Sequence, residues 1–283
     1  MISINERKAQ PSSPSMPLVA QRLRRMVETL AIPRHRIAEP AANAEVREWI
    51  AGELRSLGYD VSIQGRFENV IALPRGARRV TLIGAHYDSV PGCPGADDNA
   101  SAVAVMLEAA SRLHGQNIGF IAFNAEEEGM LGSFDFVEHG LKKLPVTVDG
   151  IHVLEMLGFR NDGAPLQRLP LPWTPECVKH CDFIGVIGKS ASNDDVDRAL
   201  ASRAAPELKV VGARTWGPIH VVMGDITRSD HFPFWQAGLK AVLWTDTANF
   251  RNPHYHRPSD TPDTLDYEFM ARVTELLIDV VRR

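Results

Sequence analysis

Short apolar runs recur along most of the chain and alternate with segments of helical periodicity. Runs of this length, rich in Val, Ile, Leu and Phe, are typical of strands that are buried on both faces of a sheet. Their alternation with helices predicts an α/β fold: a three-layer sandwich in which a mixed, mostly parallel sheet has helices on both faces. The predicted strands are YDVSIQ, NVIALP, VTLIGA, IGFIAFNA, GIHVLEM, CDFIGVIG, LKVVGA and KAVLWTD.

The 283 residues show no internal repeat and no linker, which predicts a single domain over residues 17–283 after a flexible tail of residues 1–16. Two irregular stretches, Gly158–Pro175 and Ala213–Arg228, are candidate walls of a binding site. The predicted helices run from Pro17 to Leu30, Ala41 to Leu57, Asn99 to His114 and Thr264 to Arg283, with shorter ones between.

Composition narrows the classes of partner. A net charge of −4 gives no basic surface for nucleic acid or for an anionic membrane. No window approaches 18 uninterrupted apolar residues, and the first residues lack the apolar core of a secretory signal. Three cysteines suit a reducing compartment, so a cytoplasmic location is predicted. Cys177 and Cys181 are predicted to be buried thiols rather than metal ligands, because no second pair accompanies them.

Acidic and histidine side chains follow the predicted strands at the point where each strand ends. Ligand and catalytic groups of open α/β sheets gather beyond the carboxyl ends of the strands, so these side chains should meet at one edge. The sequence leaves open whether Asp97 caps a helix or supports the site, and whether Asp260 orients a histidine or caps a turn. The residues concerned are His86, Asp88, Asp97, Asp98, Glu126, Glu127, Glu128, Glu155, Asp246, His254 and His256.

Several carboxylates within a few ångströms of one another repel, and a divalent cation removes that repulsion. Imidazole and carboxylate donors together suit zinc, with cobalt and manganese as alternatives. Two zinc ions and a bridging hydroxide would balance three carboxylates. In the His-x-Asp pair, the Asp88 carboxylate can accept the second ring N–H of His86 and so fix the tautomer that faces a metal.

These residues lie in segments that resemble, in order, the signature segments of the di-zinc aminopeptidase family, metallopeptidase family twenty-eight. The resemblance extends from about Arg47 to Asp266 and implies the zinc exopeptidase (phosphorylase/hydrolase-like) fold. The same family includes glutamate carboxypeptidase and, more distantly, glutaminyl cyclase. The segments are GAHYDSV, GADDNASAVAVMLE, AEEEGMLGS, VLEMLGF, SDHFPFWQAG and HYHRPSDTPDTLD.

The resemblance implies a role for each matching residue. Asp98 would bridge two zinc ions, His86 and Glu155 would complete one site, and Glu127 and His256 would complete the other. Many members have aspartate at the position of Glu155. By the same resemblance, Asp98–Asn99 is a candidate cis peptide bond, Glu126 is the general base, and Tyr255 donates to the oxyanion. Glu128 lies where the family usually has an apolar residue, and it is predicted to be a solvated charge or a charge in the first turn of a helix.

The resulting functional prediction is an aminopeptidase that hydrolyses the N-terminal bond of a peptide or amide substrate with a hydroxide that bridges two zinc ions. One alternative is a carboxypeptidase or amidohydrolase acting on acidic or N-acylated substrates. For that function an arginine in the cleft would bind a carboxylate. A glutaminyl cyclase, which typically uses one zinc, and a non-catalytic peptide-binding module are further alternatives. No exposed apolar stripe indicates an oligomeric state. The candidate arginines are Arg160, Arg214, Arg228 and Arg251.

Overall fold

The structure, a computed structural model, describes residues 1–5, 16–163, 167, 174–217 and 224–282. The described residues form one nine-stranded sheet in the order β1-β8-β7-β9-β6-β4-β5-β3-β2. The strands are β1 (Ile2–Asn5), β2 (Asp60–Gln64), β3 (Asn69–Leu73), β4 (Arg79–His86), β5 (Ile118–Phe123), β6 (Thr147–Glu155), β7 (Phe183–Lys189), β8 (Lys209–Thr215) and β9 (Ala241–Thr245).

The helices are α1 (Met16–Leu30), α2 (Pro40–Ser56), α3 (Ala102–Arg112), α4 (Leu131–Asp135), α5 (Asn193–Ala201), α6 (Phe232–Gln236) and α7 (Tyr267–Val281). A kinked segment, Ala96–Ser101, precedes α3; we call it the π-helical turn, although Asp98 and Asn99 within it have non-helical backbone angles. Among the described residues, no helix combines the length and apolar character needed to cross a membrane.

The α/β fold with a mixed sheet is confirmed. The central strands β9, β6, β4 and β5 are parallel neighbours. The antiparallel pairs are β1 with β8, β7 with β9, β3 with β5 and β2 with β3. Because β4, β5 and β6 run in the same direction, their carboxyl ends meet at one edge of the sheet.

Two apolar cores separate the three layers. One face of the sheet packs against α1, α2, α3, α5 and α7, through side chains such as Leu23, Ile50 and Leu277. The other face packs against α6 and the turn that directly follows α4, where Phe234 and Phe136 meet Phe123. Successive strand residues belong to alternate cores, as the two-residue period of a strand requires. Helices therefore lie on both faces.

The prediction of a flexible tail over residues 1–16 is wrong at its start. Residues 2–5 form the edge strand β1, which pairs antiparallel with β8, Ile2 opposite Ala213. A four-residue strand that pairs with a distant part of the chain leaves almost no periodic pattern in the sequence. Residues 6–15 lie outside the described residues, as do parts of both predicted binding-site walls (164–166, 168–173 and 218–223). Of the two cysteines predicted to be buried thiols, Cys181 is buried, and the side chain of Cys177 is not described.

Candidate metal centre and active site

The candidate site lies at the carboxyl edge of the central strands. His86 is the last residue of β4, Glu155 is the last residue of β6, and Glu127 lies in the loop that follows β5. Asp98 is in the π-helical turn before α3, and His256 is in the loop between β9 and α7. The five residues that the sequence resemblance selects therefore meet at one edge, although they come from five separate segments of the chain.

These residues form two overlapping groups of donor atoms that share Asp98. In the first group, His86 Nε2 lies 3.3 Å from Asp98 Oδ1 and 3.6 Å from Glu155 Oε2. In the second, His256 Nε2 lies 3.2 Å from Asp98 Oδ2 and 3.2 Å from Glu127 Oε2. Within each group the donor atoms all lie within 4.8 Å of one another, close enough to bind one metal ion. The shared aspartate presents one oxygen to each group.

The chemistry of both groups fits a divalent cation. His86 Nε2 and Glu127 Oε1 are buried and have no hydrogen-bond partner among the described residues. Burial and the neighbouring Asp98 raise the pKa of Glu127 to about 7. Burial lowers the pKa of His256, but its bonds to Asp98 and Glu127 outweigh that effect and raise the pKa to about 10. Protons bound to these side chains therefore offset the negative charge of the carboxylates, as a divalent cation would.

Asp88 contacts one residue of each donor group, His86 in the first and Glu127 in the second. His86 Nδ1 lies 3.3 Å from the Asp88 carbonyl oxygen, its hydrogen-bond partner, and 3.4 Å from the predicted partner atom, Asp88 Oδ1. The same carboxylate also accepts hydrogen bonds from the backbone N–H groups of Glu126 and Glu127, each at 3.2 Å. This second contact was not predicted, because it depends on the path of the loop after β5. Asp88 therefore links the end of β4 to that loop.

The three consecutive glutamates of this loop have different surroundings. Glu127 belongs to the second donor group, while burial strongly raises the pKa of Glu126 beside it. Glu128 is not the solvated charge that was predicted, because it forms a bidentate ion pair with Arg36 at 2.9 and 2.7 Å. Its side chain is only 17% exposed. The sequence carries no signal for this pair, since Arg36 lies 92 positions earlier.

Tyr255 lies directly beside the second donor group. Its ring stacks on the ring of His256, with centroids 3.8 Å apart and planes 17° apart. His256 has a left-handed backbone conformation (φ 57°), which turns the chain sharply after Tyr255. The Tyr255 hydroxyl oxygen accepts a hydrogen bond from Arg228 Nη2 at 3.1 Å.

Three further aspartates hold the loops of the site in place. Asp260 accepts hydrogen bonds from the backbone N–H groups of Asp97 and Asp98 at 2.9 and 3.1 Å, so it fixes the π-helical turn. Within the described part of the chain, it forms no hydrogen bond to a histidine. Asp97 accepts from the Gly158 N–H and from Asn252, which resolves its role in favour of support. Asp246 likewise accepts from the N–H groups of Phe159 and Ala248.

The bond between Asp98 and Asn99 is cis, as the resemblance implied. Asn99 connects this peptide to β6, because its side chain donates to the Leu154 carbonyl and accepts from the Met156 N–H. Ser229 donates to Glu155 Oε2 at 2.6 Å, a contact that sequence reasoning missed. His254 bonds to Ser259 through its ring and is not in either donor group.

Arg34 is a fully buried cation beneath the loop between His86 and Asp98. Its guanidinium donates to four carbonyl oxygens, those of Ile32, Tyr87, Pro94 and Gly95. Burial lowers its pKa, whereas Asp88 and Asp98 raise it. A buried arginine with carbonyl partners cannot be recognised from sequence, because arginine is almost always a surface residue.

The four candidate arginines have different surroundings. Arg160 pairs with Asp162 and Asp266, Arg214 pairs with Asp197, and Arg251 donates to the carbonyls of Phe159 and Phe183. Arg228 contacts the site itself through Tyr255. It also donates to Asp225 and Asn249, each at 3.2 Å. Its positive charge is therefore partly balanced before any substrate arrives.

A cavity of about 550 Å³ opens beside Glu155, Ser229 and Tyr255. Strands β7, β8 and β9 contribute side chains to its wall. The lining is mostly apolar and includes Phe183, Ile187, Val211, Trp216, Leu243 and Phe250. A cavity of this size and character accommodates an apolar side chain next to the donor groups.

Fold and site together define an α/β protein that gathers carboxylate and imidazole donors of the kind that bind metals at the carboxyl edge of its sheet. The family model described as Peptidase family M28 matches residues 69–281. The chain therefore belongs to peptidase family M28, which confirms the family resemblance.

Similar proteins agree with this assignment. The uncharacterized protein YfbL of Escherichia coli is 33% identical over 82% of this chain and 76% of its own length. Aminopeptidase YwaD of Bacillus subtilis is 29% identical over 76% of this chain, which spans only 44% of YwaD. The structure of BSAP, a zinc aminopeptidase from Bacillus subtilis, superposes with a TM-score of 0.67 at 19% identity, covering 94% of this chain and 95% of BSAP. That last likeness shows the shared fold.

Proposed function

We propose that this chain is an aminopeptidase that uses two zinc ions, or cobalt or manganese in their place. The observation that carries the proposal is the pair of donor groups that share Asp98 and lie next to Glu126 and Tyr255. The names of YwaD and BSAP support both the activity and the metal. The first group (His86, Asp98, Glu155) would hold one ion, and the second (Asp98, Glu127, His256) would hold the other.

Zinc bound to these donors supplies Lewis-acid activation of water and of the substrate carbonyl. Glu126 takes a proton from the attacking water and returns it to the departing amine. Burial raises the pKa of Glu126, which favours its holding a proton between the two transfers. The Tyr255 hydroxyl donates a hydrogen bond to the carbonyl oxygen as that oxygen gains negative charge. Asp88 contacts both the loop of Glu126 and the ring of His86, and so fixes the position of each relative to the other.

The cavity beside Glu155 and Tyr255 gives the substrate preference. Its lining of Phe183, Ile187, Val211 and Leu243 favours an uncharged, apolar side chain on the N-terminal residue. We expect kcat/KM for leucyl and phenylalanyl anilides to exceed that for glutamyl and lysyl anilides. A panel that also contains N-acetylated peptides and N-terminal glutaminyl peptides decides between functions. Cleavage of the free-amine substrates supports an aminopeptidase, whereas cleavage of blocked peptides or cyclisation of glutamine contradicts it.

The role of Glu126 has its own test. Replacing Glu126 with Gln should lower kcat by about 10²–10⁴-fold, the usual effect of removing a positioned base. Elemental analysis should show unchanged metal content, because Glu126 belongs to neither donor group. Glu128→Gln is the matched control in the same loop, since Glu128 pairs with Arg36 instead. If the Glu126 variant turned over substrate at the wild-type rate, Glu126 would not be the general base.

A further inference from the structure

Arg228 contacts the hydroxyl that the proposed function assigns to oxyanion stabilisation. Its Nη2 donates to Tyr255 Oη at 3.1 Å, and Nη1 donates to Asp225 Oδ1 and Asn249 Oδ1, each at 3.2 Å. Asp225 lies in the segment before Arg228, and Asn249 lies in the turn after β9. The guanidinium therefore contacts two loops as well as Tyr255, although 47% of its side chain is exposed.

The direction of this hydrogen bond matters chemically. A phenol oxygen can accept two hydrogen bonds but has a single hydrogen to donate. Because Arg228 donates to the oxygen, the Tyr255 hydrogen is left for another acceptor, and the positive charge strengthens the hydroxyl as a donor. The ring of Tyr255 is held at the same time by stacking on His256. Ring and hydroxyl are thus both restrained before a substrate binds.

The alternative role of Arg228, binding a carboxylate of an acidic substrate, is disfavoured by its partners. Asp225 forms an ion pair with the guanidinium at 3.2 Å and partly balances its charge. The cavity next to it is lined mostly by apolar side chains. An acidic substrate would have to compete with Asp225 and then place the rest of its side chain in an apolar environment.

We infer that Arg228 is a positioning residue that aims the Tyr255 hydroxyl at the substrate carbonyl oxygen. This inference rests on the proposed function, since it assigns Arg228 to the oxyanion donor of that site. The residue that follows, Ser229, bonds to Glu155 of the first donor group. One short segment therefore positions both a proposed metal-binding carboxylate and the proposed oxyanion donor.

A double-mutant cycle of Arg228→Gln and Tyr255→Phe tests the inference with leucyl anilide as substrate. Tyr255→Phe alone should lower kcat by about 10²–10³-fold, the effect of losing one oxyanion donor. Arg228→Gln alone should lower kcat by about tenfold with little change in KM, which is the magnitude of one charge-assisted hydrogen bond. In the Tyr255→Phe background the Arg228 substitution should have no further effect, because its target is gone. Arg228→Lys should restore part of the lost kcat.

A second readout does not depend on turnover. The boronic acid analogue of leucine resembles the tetrahedral state, so calorimetry should show the same non-additive loss of affinity for it, while affinity for leucine itself is unchanged. Arg79→Gln, an exposed arginine paired with Asp149 at the start of β4, is the control and should match the wild type in both measurements.

Several results would overturn the inference. One is an equal loss of kcat from Arg228→Gln in the wild-type and Tyr255→Phe backgrounds. Another is an effect confined to KM for glutamyl substrates. Failure of the proposed function is distinguishable from these, because the wild type would then not hydrolyse free-amine substrates. Additive losses in the boronic acid cycle would contradict the inference alone.

Discussion

At the scale of the residue, Asp88 shows how one side chain can support a whole site. It is fully buried, lies beside the ring nitrogen of His86 and accepts the N–H groups of Glu126 and Glu127. Residues that orient metal-binding groups in this way are commonly as important as the ligands themselves. The position of Asp88 two residues after His86 predicted its contact with the ring. Its contact with the glutamate loop became apparent only in the folded chain.

Asp88→Asn should therefore weaken zinc binding by about 10–100-fold. The carboxylate has two oxygens for the N–H groups of Glu126 and Glu127 and lies beside the His86 ring, whereas an amide has one oxygen. Competition with a fluorescent chelator gives the affinity directly. Asp149→Asn, an exposed aspartate at the opposite end of the sheet, should leave it unchanged. Equal affinity in the Asp88 and Asp149 variants would exclude a role for Asp88 in positioning the donors.

His152 gives a prediction about pH. It is buried in β6, and its Nδ1 accepts a hydrogen bond from Trp244 Nε1 at 3.1 Å. Burial lowers its pKa from 6.5 to about 4. The folded state therefore prefers neutral His152, and the stability this gives is present above pH 6.5 and lost as the pH falls towards 4.

Between pH 7 and pH 4, the unfolding free energy of the wild type should fall by about 3 kcal/mol more than that of His152→Asn. Asparagine retains an acceptor for Trp244 but does not titrate. Urea unfolding at each pH measures the difference, and His180→Asn, at an exposed position, should follow the wild-type curve. Parallel curves for wild type and His152→Asn would show that His152 is not a buried neutral group.

At the scale of the element, two helical glycines have different surroundings: one faces open space and the other is tightly packed. Gly52 is inside α2, and a Cβ there would meet nothing within 4 Å. Gly132 is in α4, and a Cβ there would lie 2.1 Å from the Asn124 carbonyl oxygen and 2.6 Å from Asn69 Oδ1. Helix α4 therefore packs tightly against Asn124, at the start of the loop that carries Glu126 and Glu127.

Gly52→Ala should raise the unfolding free energy by about 0.5–1 kcal/mol and leave activity unchanged. Gly132→Ala should lower the unfolding free energy by about 1–3 kcal/mol and reduce kcat, because the displaced carbonyl belongs to the glutamate loop. Denaturant unfolding and anilide hydrolysis test both variants side by side. A stabilising effect of Gly132→Ala would show that this contact is not tight.

Most elements could be predicted because they are long or strongly apolar. Strands such as β4 and β5 and helices such as α7 lie close to their predicted positions. Strand β1 could not be predicted, since its few residues owe their structure to pairing with β8. The sequence predicts a helix from Asn99 with Asp97 and Asp98 as capping residues, whereas Ala96–Ser101 forms a separate, kinked turn before α3. The Asp97 carboxylate instead accepts from Gly158 in a distant loop, and the Asp98 carboxylate faces His86 and His256.

At the scale of the whole molecule, the convergence of the donors could be anticipated because parallel strands place their carboxyl ends together. The apolar cavity and the Arg228–Tyr255 contact could not. Both depend on where Asp225–Ser229 and the turn after β9 lie relative to the sheet, and no periodic pattern predicts that placement. Loops follow tertiary contacts more than local propensity.

Metal removal should change the stability of the entire chain. Without cations, the carboxylates of the two donor groups compete for protons, and binding of an ion to the folded state alone stabilises it by about 4 kcal/mol at a thousand times Kd. Dialysis against a chelator should lower Tm and abolish hydrolysis, and zinc should restore both at two ions per chain. Calorimetry with elemental analysis measures these together. An unchanged Tm in metal-free protein would argue against ions at the shared aspartate.

The two donor groups differ in their access to water. His86 is 1% exposed and Glu155 12%, whereas His256 is 37% exposed. An ion held by His256 would exchange with the surroundings sooner than one held by His86. Under the proposed two-ion function, protein short of zinc would keep the ion at His86 and lose the one at His256, so added metal would activate chains that are already folded.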